Sequence, residues 1–192
     1  MSARVGIGIP LVALRAKSLV SLCQNLIQTH AEMALLIVEG AYIQHNRALL
    51  VKHAREQGCT HLFFMDHDMV FPADTVDRLL AHDKDIVACA YNMRGRFPLE
   101  SVVTLHDAAG QRVPDADLPG ELFRCSSLGC GVMLIKIPVF ERIAQPWFHL
   151  HIEGFDLLST EDVWFCNQAR QAGIDIWCDP TIPVQHQGEF LF

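Results

Sequence analysis

The sequence predicts an α/β fold with a mostly parallel central sheet flanked by helices. Three observations predict it. Short apolar runs alternate with amphipathic stretches through the first half of the chain, in the order β-α-β-α-β-α-β. Each apolar run is bounded by polar residues, glycine or proline, the pattern of buried strands. One run, His61-Leu62-Phe63-Phe64-Met65, feeds directly into Asp66-His67-Asp68. That puts polar groups at the C-terminal end of a strand, where open α/β sheets bind ligands.

The elements follow in order. Residues 4–9 read as a first strand stopped by Pro10, with Gly6 and Gly8 permitting close approach of backbone or ligand. Leu19, Leu22, Cys23, Leu26 and Ile27 recur at helical spacing, so a helix covers roughly 15–29 with these residues as its apolar stripe. Met33 to Val38 is the second strand. A helix from about 42 to 57, closed by Gly58, carries Asn46 and Arg47 near its start. The third strand is the run ending at Asp66. A helix over about 73–82 and a strand over 85–90 complete the alternation.

Beyond residue 90 the alternation stops. Residues 91–98 form a loop with Arg94 and Arg96. Short strands at about 101–105 and 121–125 flank a polar segment and read as an excursion or hairpin. Gly129-Cys130-Gly131 leads into a buried strand at 132–135, and Pro138 starts a short helix. Residues 146–158 are rich in aromatics and histidine and show no clear period. Ser159 or Thr160 caps a helix running to about 172, and residues 174–178 are a last strand before the tail that holds His186.

The chain has 192 residues, 51% of them hydrophobic and 19% charged, which is enough for one domain spanning 1–192 with a sizeable core. No apolar run approaches the roughly 20 residues that span a bilayer, and residues 1–5 lack a signal-peptide core. A cytoplasmic protein with no membrane span is expected. The net charge of −7, from 15 Lys and Arg against 22 Asp and Glu, argues against general nucleic-acid binding. Seven scattered cysteines with no C-x-x-C pair indicate neither a zinc ribbon nor a disulfide framework.

Three features could carry chemistry. Asp66 and Asp68 are hard oxygen ligands suited to Mg²⁺ or Mn²⁺, which usually also bind substrate phosphates. They could equally be turn formers ahead of the helix that Pro72-Ala73-Asp74 opens. Glu161-Asp162 either complements a helix macrodipole or supplies a general base. His186 follows the last strand and a proline, and is either a surface residue or a metal ligand at the sheet edge.

Taken in order, these pieces resemble the GT-A-type glycosyltransferases, whose domain is Rossmann-like. The match runs through the strand ending in Pro10, Asn46-Arg47, Thr60 to Asp68, Gly129 to Ile135, Thr160-Glu161-Asp162 and Gln185-His186. The resemblance implies transfer of a sugar, with inversion, from a UDP- or GDP-sugar to a hydroxyl acceptor. It implies a nucleotide-binding half at about 1–90 and an acceptor half at about 91–192. Asp68 would bind the divalent cation (Mn²⁺ or Mg²⁺), with Asp66 near the metal or the ribose and His186 as a further ligand. Asp162, beside Glu161, would be the base. Ile9-Pro10-Leu11 would contact the nucleotide base, Asn46 and Arg47 the nucleotide or its phosphates, with His67 on the donor side. Gly129 and Gly131 would lie where backbone approaches sugar or acceptor.

Two other readings compete. Asp66-His67-Asp68-Met69-Val70 also resembles the nucleophile motif of haloacid-dehalogenase-type phosphatases, with Asp66 as nucleophile. Those enzymes normally carry it on the first strand, whereas two β-α units precede it here. The third reading is a non-catalytic nucleotide-sugar-binding protein.

Overall fold

The computed structural model describes residues 2–11, 13–94 and 100–188, residue 11 by its backbone alone. The elements are β1 (Arg4–Leu11), α1 (Ala16–Gln28), β2 (Glu32–Glu39), α2 (Ile43–Glu56), β3 (His61–Met65), β4 (Met69–Val70), α3 (Thr75–Ala81) and β5 (Ile86–Cys89). They continue with β6 (Phe123–Cys125), β7 (Val132–Lys136), α4 (Val139–Arg142), β8 (His151–Glu153), β9 (Asp156–Ser159), α5 (Glu161–Gln171), β10 (Ile176–Asp179) and β11 (Gln185–His186).

Seven strands form the central sheet in the order β2-β1-β3-β7-β5-β10-β6. β1 is parallel to β2 and to β3, and β10 is parallel to β5. β7 is antiparallel to both β3 and β5, and β6 is antiparallel to β10. Five strands therefore point one way and two the other. This is the mostly parallel α/β sheet that the sequence predicts. The insertion of β7 has a functional consequence. Its N-terminal end, Val132, pairs with Met65 at the C-terminal end of β3. The residues leading into β7 therefore reach the same sheet edge as Asp66.

Alternation along β3 divides the core. Leu62 and Phe64 face α2 and α5, packing with Leu50, Ala54 and Phe165. Phe63 and Met65 face α1 and α3, packing with Leu22, Val76 and Leu79. Phe63 and Phe64 are both fully buried, each stabilising the fold by roughly 1.5–3 kcal/mol. The glycines of β1 serve the α2 layer: a Cβ on Gly6 would lie 2.8 Å from Leu36 Cδ1, and one on Gly8 2.9 Å from Leu62 Cδ1.

Several sequence expectations change. Of the apolar stripe assigned to α1, Leu22 is buried, but Leu19, Cys23 and Ile27 are exposed. The inward face is Ser18, Ser21, Leu22 and Asn25. Polar residues are buried there because the neighbouring loop needs partners. Asn25 Nδ2 donates to Pro72 O at 2.9 Å, Asn25 Oδ1 accepts from Val76 N, and Ser21 Oγ accepts from Phe71 N. Residues 101–105 and 121–125 do not form a hairpin. The first makes isolated bridges, Ser101 with Asn92 and Thr104 with Ser127, while β6 pairs with β10. Segment 146–158 lacks one period because it belongs to two environments. Trp147 and Phe148 enter the core, while residues 151–159 form the outlying β8–β9 hairpin. Arg96, in the loop expected over 91–98, lies outside the described residues. No helix among the described residues is long and apolar enough to cross a membrane.

Candidate active site at the C-terminal edge of the sheet

A cleft of about 560 Å³ opens at the edge where β3 ends and β7 begins. Arg47, Asp66, Tyr91, Arg94, Asp162 and His186 are among its lining residues. The four acidic residues that sequence singles out at this edge, Asp66, Asp68, Glu161 and Asp162, fall into three different states of bonding.

The first state is a buried ion triad. Arg47 is 2% exposed. Its Nη2 donates to Asp66 Oδ1 at 2.9 Å and Oδ2 at 3.2 Å, and its Nε donates to Glu161 Oε1 at 3.3 Å. The guanidinium carbon lies 5.2 Å from the centre of the Phe64 ring. Burial works against the Arg47 charge, but the surrounding carboxylates, Asp66 foremost, outweigh it and hold the guanidinium protonated above its ordinary range. Burial pushes the Glu161 carboxyl up, with Arg47 opposing and Asp162 adding to the rise. The α2 helix thus delivers Arg47 inward, where it joins the end of β3 to the start of α5.

The second state is the pair Asp68 and His186. The short antiparallel ladder of β4 with β11 places His186 opposite Met69. Gln187 N donates to Asp68 O at 2.8 Å. His186 Nε2 then lies 3.3 Å from Asp68 Oδ2. Arg94 Nη1 donates to that oxygen at 2.6 Å, and His67 Nε2 sits 3.9 Å from it. Asp68 is 3% exposed. Burial raises its pKa, but the bond from His186 and the charges of His186, His67 and Arg94 outweigh burial and hold the carboxyl below its usual range.

The third state is Asp162. Thr160 is the N-cap residue of α5, but its hydroxyl does not cap the helix backbone. It donates to Asp162 Oδ1, which also accepts from Val163 N at 2.8 Å. Among the described residues nothing is bonded to Oδ2 of Asp162. The side chain is therefore oriented through one oxygen and open at the other.

The remaining assigned residues do not line the cleft. Asn46 is buried, and its Nδ2 donates to Gly40 O at 3.0 Å, fixing the turn into α2. Pro10 is buried in β1, paired with Val38. Gly129 and Gly131 pack under Tyr91. Gly131 N donates to the Tyr91 hydroxyl at 3.0 Å, and a Cβ on Gly131 would lie 2.6 Å from that oxygen. A Cβ on Gly129 would also collide with it. Burial, reinforced by Asp66 and Asp162, holds the Tyr91 phenol protonated well above its normal range.

No family profile and no curated protein sequence matches this chain. Solved structures do. A197 from STIV aligns with a TM-score of 0.65 at 17% identity, over 97% of this chain and 86% of that one. The inositol-1-phosphate CTP transferase from T. maritima aligns at 0.52 and 10% identity, over 97% and 89%. S. aureus TarS 1-349 aligns at 0.54 and 12% identity, over 96% of this chain and 60% of that one. The fold is GT-A-like.

On this fold the residues able to hold a divalent cation are Asp68 and His186, an oxygen and an imidazole nitrogen already adjacent. Among the described residues, no three His, Cys, Asp or Glu side chains converge as a ready-made cage. The arrangement fits a cation that takes its other ligands from water and from substrate phosphates, as Mg²⁺ and Mn²⁺ commonly do. Asp66 is turned away toward Arg47. Two residues of the site carried no assignment from sequence. Tyr91 offers no motif, and its role shows only once β5 and β7 are adjacent. Arg94 was visible as one of two arginines in a loop, without a partner to give it meaning.

Proposed function

We propose that this chain is a transferase acting on a nucleoside-diphosphate sugar, UDP- or GDP-linked, and passing the sugar to a hydroxyl acceptor with inversion. The observation that carries the reading is how the acidic residues at this sheet edge are bonded. Asp66 and Glu161 accept from Arg47, Asp68 Oδ2 is held by His186 and Arg94, and Asp162 is fixed through Oδ1 with no bond on Oδ2 among the described residues. Likeness of the backbone to a CTP transferase supports nucleotide-dependent transfer on this scaffold.

In this reading Asp162 Oδ2 accepts the acceptor hydroxyl proton as the new C1–O bond forms and the bond from C1 to the diphosphate breaks. Thr160 and Val163 hold the carboxylate in place for that step. Asp68 and His186 would hold Mn²⁺ or Mg²⁺, whose chemistry is to neutralise the charge gathering on the diphosphate. Arg47 acts from behind, holding the side chains of Asp66 and Glu161 in place. This geometry speaks against the phosphatase reading. A nucleophilic Asp66 would need a free oxygen, and both of its oxygens accept from Arg47.

Calorimetric titration with UDP, GDP, CDP and ADP, with and without Mn²⁺, tests the proposal. The expected result is tight binding of one nucleotide only with metal, followed by turnover of the corresponding sugar donor. Release of pyrophosphate from CTP would replace it with nucleotidyl transfer. Metal-dependent binding without turnover of any donor would favour a binding protein.

A further inference from the structure

The β8–β9 hairpin stands off the body of the molecule. Every residue from Ile152 to Leu158 is exposed. Four of them are large and apolar, and Phe155 at the turn is 107% exposed, as open as in an extended peptide. Strand pairing sets Ile152 opposite Leu157 and Glu153 opposite Asp156. A two-stranded ribbon is marginal in water by itself, and contiguous exposed apolar surface marks an interaction site. The tip of this ribbon is Glu153-Gly154-Phe155-Asp156, an aromatic ring between two carboxylates.

A groove elsewhere on the chain has the complementary chemistry. It runs between α2 and segment 145–148 and encloses about 500 Å³. Leu49, Pro146, Trp147 and Phe148 give it apolar walls, and Lys52 and Arg55 stand among its lining residues. These cations are held only loosely. Lys52 lies 3.7 Å from Glu56 and Arg55 3.0 Å from Glu141, with all four side chains at least 40% exposed. Exposed pairs of this kind exchange partners at little cost.

We propose that the β8–β9 hairpin docks into the α2 groove of a second copy of this chain. Phe155 enters the groove, and Glu153 and Asp156 meet Lys52 and Arg55. Charge complementarity selects this occupant. A carboxylate on either side of Phe155 opposes insertion into an anionic lipid surface and suits Lys52 and Arg55, which can leave their exposed pairs with Glu56, itself a lining residue of the groove, and Glu141. The exchange is reciprocal. Two hairpins in two grooves bury twice the surface of one, and Ile152 and Leu157, paired beside the tip, add to each contact. β9 runs directly into Thr160, so the docked hairpin also anchors the segment that carries Asp162.

Analytical ultracentrifugation of the full chain tests this. Wild type is expected to sediment as a dimer at micromolar concentration. Phe155→Ser weakens dimerisation about thirtyfold, as loss of a central anchor does. Asp156→Lys and Lys52→Glu each weaken it about fivefold, as rim charges do. Combining the two reversals in one chain restores dimerisation toward wild type. Because these residues are exposed, each variant keeps the circular dichroism spectrum of wild type, which separates loss of docking from loss of fold. A wild-type monomer at every concentration overturns the proposal, as does a dimer indifferent to Phe155→Ser or a double reversal that restores nothing. Flotation of the monomer with anionic vesicles would assign the hairpin to lipid instead.

Discussion

Replacing Arg47 with methionine keeps the length and apolar contacts of the side chain and removes its charge. Asp66 and Glu161 then stand beside each other's charge with no cation between them. Their side chains are 23% and 12% exposed, so water screens them poorly. Breaking a buried ion pair from one side costs about 3–5 kcal/mol. At about 2–4 °C per kcal/mol for a chain of this size, the melting temperature falls by roughly 10 °C near neutral pH. The loss depends on pH in a definite direction. The Glu161 carboxyl already sits above its ordinary value because of burial, and removing Arg47 raises it further. A folded-state pKa above the unfolded value means that the folded state holds the proton more tightly. Stability is then highest below the unfolded pKa and falls as pH rises through the folded one. The Arg47→Met deficit should therefore be larger at pH 8 than at pH 5. Thermal unfolding at both values, for wild type, Arg47→Met and Arg47→Met/Glu161→Gln, measures it. The double variant should recover part of the loss at pH 8. A single variant that melts with wild type at pH 8, or a deficit that grows toward acid, would refute the role given to Arg47.

Three further outcomes are expected. Asp162→Asn should leave nucleotide binding by calorimetry unchanged and lower turnover by about 10²–10⁴, the usual contribution of a general base; undiminished turnover would remove Asp162 from that role. Asp68→Ala should abolish the Mn²⁺-dependent part of nucleotide binding and lower the melting temperature, because it leaves Arg94 and His186 without their shared carboxylate. Gly131→Ala should destabilise by about 1–3 kcal/mol, because its Cβ would lie 2.6 Å from the Tyr91 hydroxyl and 2.9 Å from Met69 Cε. Adding Tyr91→Phe should relieve part of that loss in urea unfolding, and no relief would show that the collision lies elsewhere.

The fold was largely legible because its signals are local. The run from Leu62 to Met65 is a buried strand whatever surrounds it, and Gly58 and Gly173 end helices by their own backbone preference, with φ of +66° and +73°. The same holds for the placement of the Asp66 motif at the end of a strand. The face of α1 was misread because burial there follows hydrogen-bond demand from residues 71–76, and that demand is invisible until the loop is in place. Segments 101–105 and 121–125 are both expected as strands; the second supplies β6, and the first makes isolated bridges. Whether such segments pair with each other or with β10 is a long-range choice that composition does not record.

Sequence by itself determined the α/β architecture, the edge at which chemistry gathers, and the identity of the acidic residues there. Periodicity and strand–polar junctions encode those things within a few residues. Only the tertiary structure decided what each carboxylate is bonded to. Arg47 and Glu161 are 114 residues apart in sequence and bonded in space, and Asp68 and His186 are 118 apart. Arg47, expected from sequence at the nucleotide, gives Nη2 and Nε to two carboxylates, while its buried Nη1 has no hydrogen-bond partner among the described residues. The physical reason is that charge pairing acts through space and depends on local dielectric, both of which are set by packing and neither by neighbours along the chain.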